Sequence, residues 1–136
     1  SNTEVADILR DYRDYTMICA GVFDDMVATL VLENKEAILE RNRQIVEENL
    51  ALMDEWIAKE PKASWIRPAS VSTSFVKLDV NRPIEDFALE LLQDYGVLVV
   101  PGNRFDKESH VSIGYCCDKE VLQKGLEKLS QFLNKC

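Results

Sequence analysis

The run Val99–Cys117, VVPGNRFDKESHVSIGYCC, gathers most of the side chains that could do chemistry. Arg104 carries a planar guanidinium able to grip a carboxylate through two parallel hydrogen bonds. His110, the one histidine, is the residue type suited to acid–base work near neutral pH. No group that would complete an acid–base pair with it is evident, so it reads as a loop-edge histidine without a catalytic role. Pro101-Gly102 is explained by a tight turn between strands, followed by Asn103 and Arg104. The four cysteines, Cys19, Cys116, Cys117 and Cys136, fit no zinc-ligand spacing. Neighbouring Cys116 and Cys117 would point to opposite faces of a strand.

Stepping from these side chains to what must hold them, 136 residues suit one ordinary domain, and an apolar fraction of 46% can build its core. A net charge of -8 argues against nucleic acid as a partner, because that affinity rests on Lys and Arg. No apolar run reaches the roughly 18 residues of a membrane span. The first residues lack the basic-then-apolar layout of a signal peptide. The expectation is a cytoplasmic protein with reduced thiols and no metal.

Apolar spacing predicts a helix over Glu4–Tyr15 and a short buried helix over Asp24–Leu32, the latter from Met26, Val27, Leu30 and Val31 on one side. A long helix follows over Lys35–Lys59, with rows Ile38/Ile45/Leu52 and Leu39/Val46/Met53, stopped by Pro61. Its glutamates 36, 40, 47, 48 and 55 form a solvated face. About 25 helical residues span about 37 Å, long beside the ~13 Å radius of gyration of a 100-residue domain. Part of the helix and the apolar arm before it should therefore seek another surface.

From Ser72 to Asp79 the alternation is that of a strand. Pro83 opens a helix with Phe87, Leu91 and Leu92 inward, and Gly96 closes it. Val97–Val100 and His110–Cys116 read as strands. Asp118 caps a final helix with Leu122, Leu126, Leu129 and Leu133 on its buried face. The fold class is α+β: a small, mainly antiparallel sheet with helices on one face, preceded by a long helix and an N-terminal helical arm. The expected division is residues 1–33 as arm and 34–136 as the sheet-bearing domain.

Three strings in this order resemble PLP-dependent aminotransferases of class I and II, fold type I: Arg10–Thr16; Val71–Asp79 after Pro68; and Gly96–Gly102 with Phe105 and His110–Tyr115. The resemblance covers nearly the whole chain, corresponding to the family's C-terminal portion. It implies a small domain that closes over an active site and contributes substrate contacts, with pyridoxal phosphate as cofactor of the longer enzyme. The cofactor-binding lysine, the aspartate facing the pyridine nitrogen and the phosphate loop belong earlier in the family's sequence, so this segment is expected to bind no cofactor and to be inactive alone.

The same resemblance implies that Ser112 stands where the family carries the arginine that grips the substrate carboxylate. Serine is too short and uncharged for that. A charge-assisted hydrogen bond is worth roughly 1.5–3 kcal/mol, so its loss predicts binding weaker by about tenfold or more. Another cation could serve, Arg104 being the nearest in sequence; the substrate could lack that contact; or the enzyme could be impaired. By the same resemblance Asn103 and Arg104 line the substrate entrance, and Thr16–Cys19 reaches a neighbouring subunit's site, unless it is only a connector. The family often has glycines where Ser70-Val71 stand. The implied partners are a second copy in a homodimer, the large domain and a small amino-acid substrate. The rival reading is a free-standing α+β binding or dimerisation module without catalysis.

Overall fold

The computed structural model describes residues 2–17, 19, 21–69 and 71–136. The chain divides into two units, Ser1–Glu40 and Arg41–Cys136.

The first unit holds α1 (Thr3–Thr16), α2 (Val22–Glu33) and the start of α3 (Lys35–Lys59). Asn2 caps α1, its side-chain oxygen accepting from the Val5 N–H at 3.3 Å; this adds a turn's beginning to the expected helix. Asn34 joins α2 to α3 by donating its side-chain amide to the Leu30 carbonyl at 2.8 Å and offering its own carbonyl to the Ile38 N–H. No residue of α1 or α2 is buried. The expected burial of Met26, Val27, Leu30 and Val31 is therefore not met: all four are exposed. A helix that is apolar round most of its circumference needs cover on several sides, and this unit does not supply it.

The second unit is the α+β body. It contains the rest of α3, β1 (Ala63–Trp65), β2 (Thr73–Leu78), α4 (Ile84–Tyr95), β3 (Val100–Pro101), a 3-10 turn (Gly102–Phe105), β4 (His110–Gly114) and α5 (Lys119–Leu133). The four strands form one antiparallel sheet in the order β1-β2-β4-β3. Along β2 and β4 burial alternates strictly: Ser74, Val76 and Leu78 face in with Val111 and Ile113, and their neighbours face out. The inward side joins Leu50, Met53 and Trp56 of α3, Ile84, Phe87 and Leu91 of α4, and Leu122, Leu126, Leu129 and Phe132 of α5 in a single core. Phe132 lies between two rings, 4.8 Å from Phe87 and 5.3 Å from Tyr95, which locks α5 onto α4.

Several of the polar groups buried by this packing are paired, while the hydroxyl of buried Tyr115 has no hydrogen-bond partner among the described residues. Asn49 of α3 donates both amide hydrogens, to the carbonyls of Tyr115 (2.7 Å) and Cys117 (2.8 Å). Trp56 donates its indole N–H to Ser130 at 2.8 Å, and Ser130 donates to the buried carboxylate of Glu60 at 2.7 Å.

Several boundaries differ from the sequence expectation. β1 is too short to show periodicity. β3 starts only at Val100, because the Val97 N–H turns back to the Leu91 carbonyl as part of the α4 cap. That cap is the predicted Gly96, at φ 65°. β4 ends at Gly114 rather than Cys116, since Asn49 takes the carbonyls that a longer ladder would use. Leu92 is 40% exposed and not a core residue.

Candidate functional site

Because α3, α4 and α5 all meet the inward side, the other side of the sheet is left open. Ser112 lies on that open side at mid-strand, half-buried, with Phe75 of β2 and Val100 of β3 as its cross-strand partners. Two positions away on the same face, His110 stacks on Phe75 with centroids 4.8 Å apart and 17° between the planes. Phe105, from the 3-10 turn, meets Phe75 edge-on at 5.8 Å. Ser112 thus sits beside an aromatic cluster built from three separate segments. A groove of about 310 Å³ continues past it, lined by Ser64, Trp65, Ile66, Phe75, Lys77 and His110.

His110 is the first residue of β4, where the strand expected from His110 begins and the preceding loop ends, directly across from Lys77. Its Nδ1 is buried with no hydrogen-bond partner among the described residues. Burial, then the charges of Lys107 and Lys77, lower its pKa below the ordinary histidine value. The ring is therefore held in its neutral form as an aromatic surface. At the far end of the strand, burial raises the phenol pKa of Tyr115, and the charge of Cys116 adds to this, while Arg67 and the Val71 backbone oppose it.

The turn that carries Asn103 and Arg104 is shaped by the backbone. The Lys107 N–H reaches the Gly102 carbonyl at 2.9 Å, and Asp106 adopts the left-handed conformation at φ 55°. A side chain on Gly102 would run into the main-chain oxygens of Lys107 and His110, so only glycine fits. The turn divides its side chains between two directions. Phe105 goes to the open face, whereas Asn103 and Arg104 both bind Glu85 in the first turn of α4. Asn103 donates to Glu85 Oε2 at 2.8 Å and Arg104 donates to Oε1. The side-chain oxygen Oδ1 of Asn103 is buried and without a partner among the described residues. No hydrogen bond connects Ser112 with Asn103 or Arg104. The structure therefore brings Asn103 and Arg104 together and sets Ser112 in a different environment.

Glu85 and the aromatic pair Phe75–Phe105 are site residues that sequence reasoning missed. Their sequence positions carry no signal, because each meets its partner only through the strand and turn geometry. The Thr16–Cys19 and Ser70-Val71 assignments include Ile18 and Ser70, which lie outside the described residues.

No group of His, Cys, Asp and Glu side chains suited to a metal occurs among the described residues. Among the described residues no helix is long and apolar enough to cross a membrane. Every lysine is exposed except Lys62, which is half-buried and donates to the Leu133 carbonyl at 2.8 Å.

No family model matches the chain. A PLP-dependent aminotransferase from Streptococcus suis is 64% identical and superposes with a TM-score of 0.89, covering 99% of this chain and 36% of that one. Capreomycidine synthase of Streptomyces vinaceus is 28% identical over 95% of this chain and 33% of its own length. A probable N-acetyl-LL-diaminopimelate aminotransferase of Bacillus subtilis is 26% identical over 97% of this chain and 34% of its own length. The chain is thus similar along nearly its whole length to proteins of which it spans about a third.

Proposed function

We propose that this chain is the C-terminal portion of a PLP-dependent aminotransferase of class I and II: the small domain with the helices that connect it to the rest. The observation that carries this reading is the 64% identity and TM-score of 0.89 to a PLP-dependent aminotransferase over 99% of the chain. The open sheet face, with Ser112 among Phe75, His110 and Phe105, is the surface offered to the substrate. The domain's role is to close over an amino acid or 2-oxo acid and supply contacts, Ser112 from the open face and Asn103 and Arg104 from the turn beside α4. The domain runs over 34–136 with 1–33 as the connecting arm, in a cytoplasmic enzyme.

The pyridoxal phosphate of such an enzyme supplies the electron sink for amino-group chemistry. On this reading the cofactor-holding residues, the Schiff-base lysine among them, belong to the large domain. What this chain contributes is substrate binding, orientation and exclusion of water. The exposed apolar residues of α1 and α2, including Ile8, Leu9, Met26 and Leu30, support a homodimer and a large domain as the surfaces that cover them.

The test is to compare this chain with the longer protein that continues it into the large domain. The longer protein is expected to show the absorbance of a PLP–lysine adduct and to transfer an amino group from an amino acid to a 2-oxo acid. This chain alone is expected to do neither. Turnover by this chain alone, or a longer protein that binds no PLP, overturns the reading.

A further inference from the structure

The bond pattern around Glu85 is that of a carboxylate held at two points. One oxygen takes the Arg104 guanidinium and the other takes the Asn103 amide, which is the arrangement a free carboxylate ligand would need. We propose that Asn103 and Arg104 form a carboxylate clamp whose resident occupant is Glu85, and that a substrate carboxylate binds by displacing it. Glu85 is then a specificity-setting residue for the enzyme, an internal competitor with no part in the chemistry. This rests on the proposed function only for the identity of the ligand.

Three observations support displacement. The guanidinium and the carboxylate are both about half exposed or more, at 63% and 49%, so solvent and ligand reach them, and an exposed pair holds weakly. The turn is shaped by Gly102, Asp106 and main-chain bonds, so releasing Glu85 leaves its backbone in place. The side-chain oxygen Oδ1 of Asn103 is buried without a partner among the described residues, so that amide is held by Glu85 at the expense of its own acceptor.

The test pairs kinetics with binding. In the longer enzyme, Glu85→Gln is expected to lower the KM for an amino acid by about two- to fivefold, the range spanned by exposed ion pairs, with kcat changing by less than about twofold. The gain should vanish in the double variant Glu85→Gln/Arg104→Ala. An unchanged or raised KM in Glu85→Gln overturns the proposal. Independently of any turnover, 2-oxoglutarate added to this 136-residue chain should move the Asn103 side-chain amide resonances in Glu85→Gln at concentrations that leave the unmodified chain unaffected. Resonances that stay still in both overturn the clamp. Shifts in the chain beside a longer protein that cannot transaminate leave the clamp standing and sink the proposed function instead.

Discussion

Phe75 and His110 lie nearly parallel on the open side of the sheet, with ring centroids 4.8 Å apart. The pair joins β2 to β4 outside the hydrogen-bond ladder, and burial, then the charges of Lys107 and Lys77, lower the pKa of the histidine.

A pH dependence follows from that pair. The folded-state pKa of His110 lies below the ordinary 6.5, so the unfolded chain takes up the proton first as pH falls. The folded state binds fewer protons below about pH 6.5, and stability declines as the pH drops through that window. At pH 7.5 the ring is neutral in both states and nothing is lost. His110→Phe, which keeps the stack and cannot titrate, should show a smaller fall in Tm between pH 7.5 and pH 5 than the unmodified chain. An identical fall in both would mean that His110 is not responsible.

Asn49 anchors the exit of β4 to α3. Asn49→Leu leaves two inward carbonyls, of Tyr115 and Cys117, without their donors. At about 1–3 kcal/mol for each such buried group, the loss should be about 2–6 kcal/mol in urea unfolding. A change below about 0.5 kcal/mol would show that water replaces the amide.

Gly102 is fixed by crowding. Gly102→Ala puts a methyl against two main-chain oxygens and should destabilise the chain by about 1–3 kcal/mol. It should also disturb the backbone resonances of residues 102–110. Full stability with undisturbed resonances would refute the close approach.

The question of the substrate cation is settled in the longer enzyme. Arg104→Ala should raise the KM for an amino acid by about tenfold, the value of a charge-assisted contact, while Ser112→Ala changes it little. Ser112→Arg, whose guanidinium would project from the open face between Phe75 and Val100, should lower KM. Equal small effects of the two alanine variants would remove Arg104 from the binding site.

Self-association is the last expectation. The apolar residues that α1 and α2 leave exposed should make the chain a dimer by light scattering. Changing Val27 and Leu30 together to glutamate should give a monomer. A monomeric unmodified chain at high concentration would count against the arm as an interface.

What could be read from sequence was what neighbouring residues decide. The bounds of α3, the Asp118 cap of α5 and the Gly96 stop of α4 are local matters of periodicity and capping. The α+β class followed from the order of those elements. The site was legible only in part. The open-face position of Ser112 follows from alternation along β4, but its companions Phe75 and Phe105 come from other segments. The Glu85 contact depends on how the turn after β3 meets the first turn of α4, which no spacing in the chain encodes. β1 was missed because a three-residue strand exists only through its pairing with β2.

The one-sidedness of the sheet has a mechanical consequence. Every fully inward side chain of β2 and β4 is satisfied by α3, α4 and α5, so the body's interior is complete before its outer face touches anything. A body finished in this way can swing against a neighbouring surface and away again without trading interior contacts. The work of each excursion is then set by Phe75, Phe105, His110 and their few outward neighbours, so substitutions there should retune opening and closing while leaving the fold's own stability largely alone.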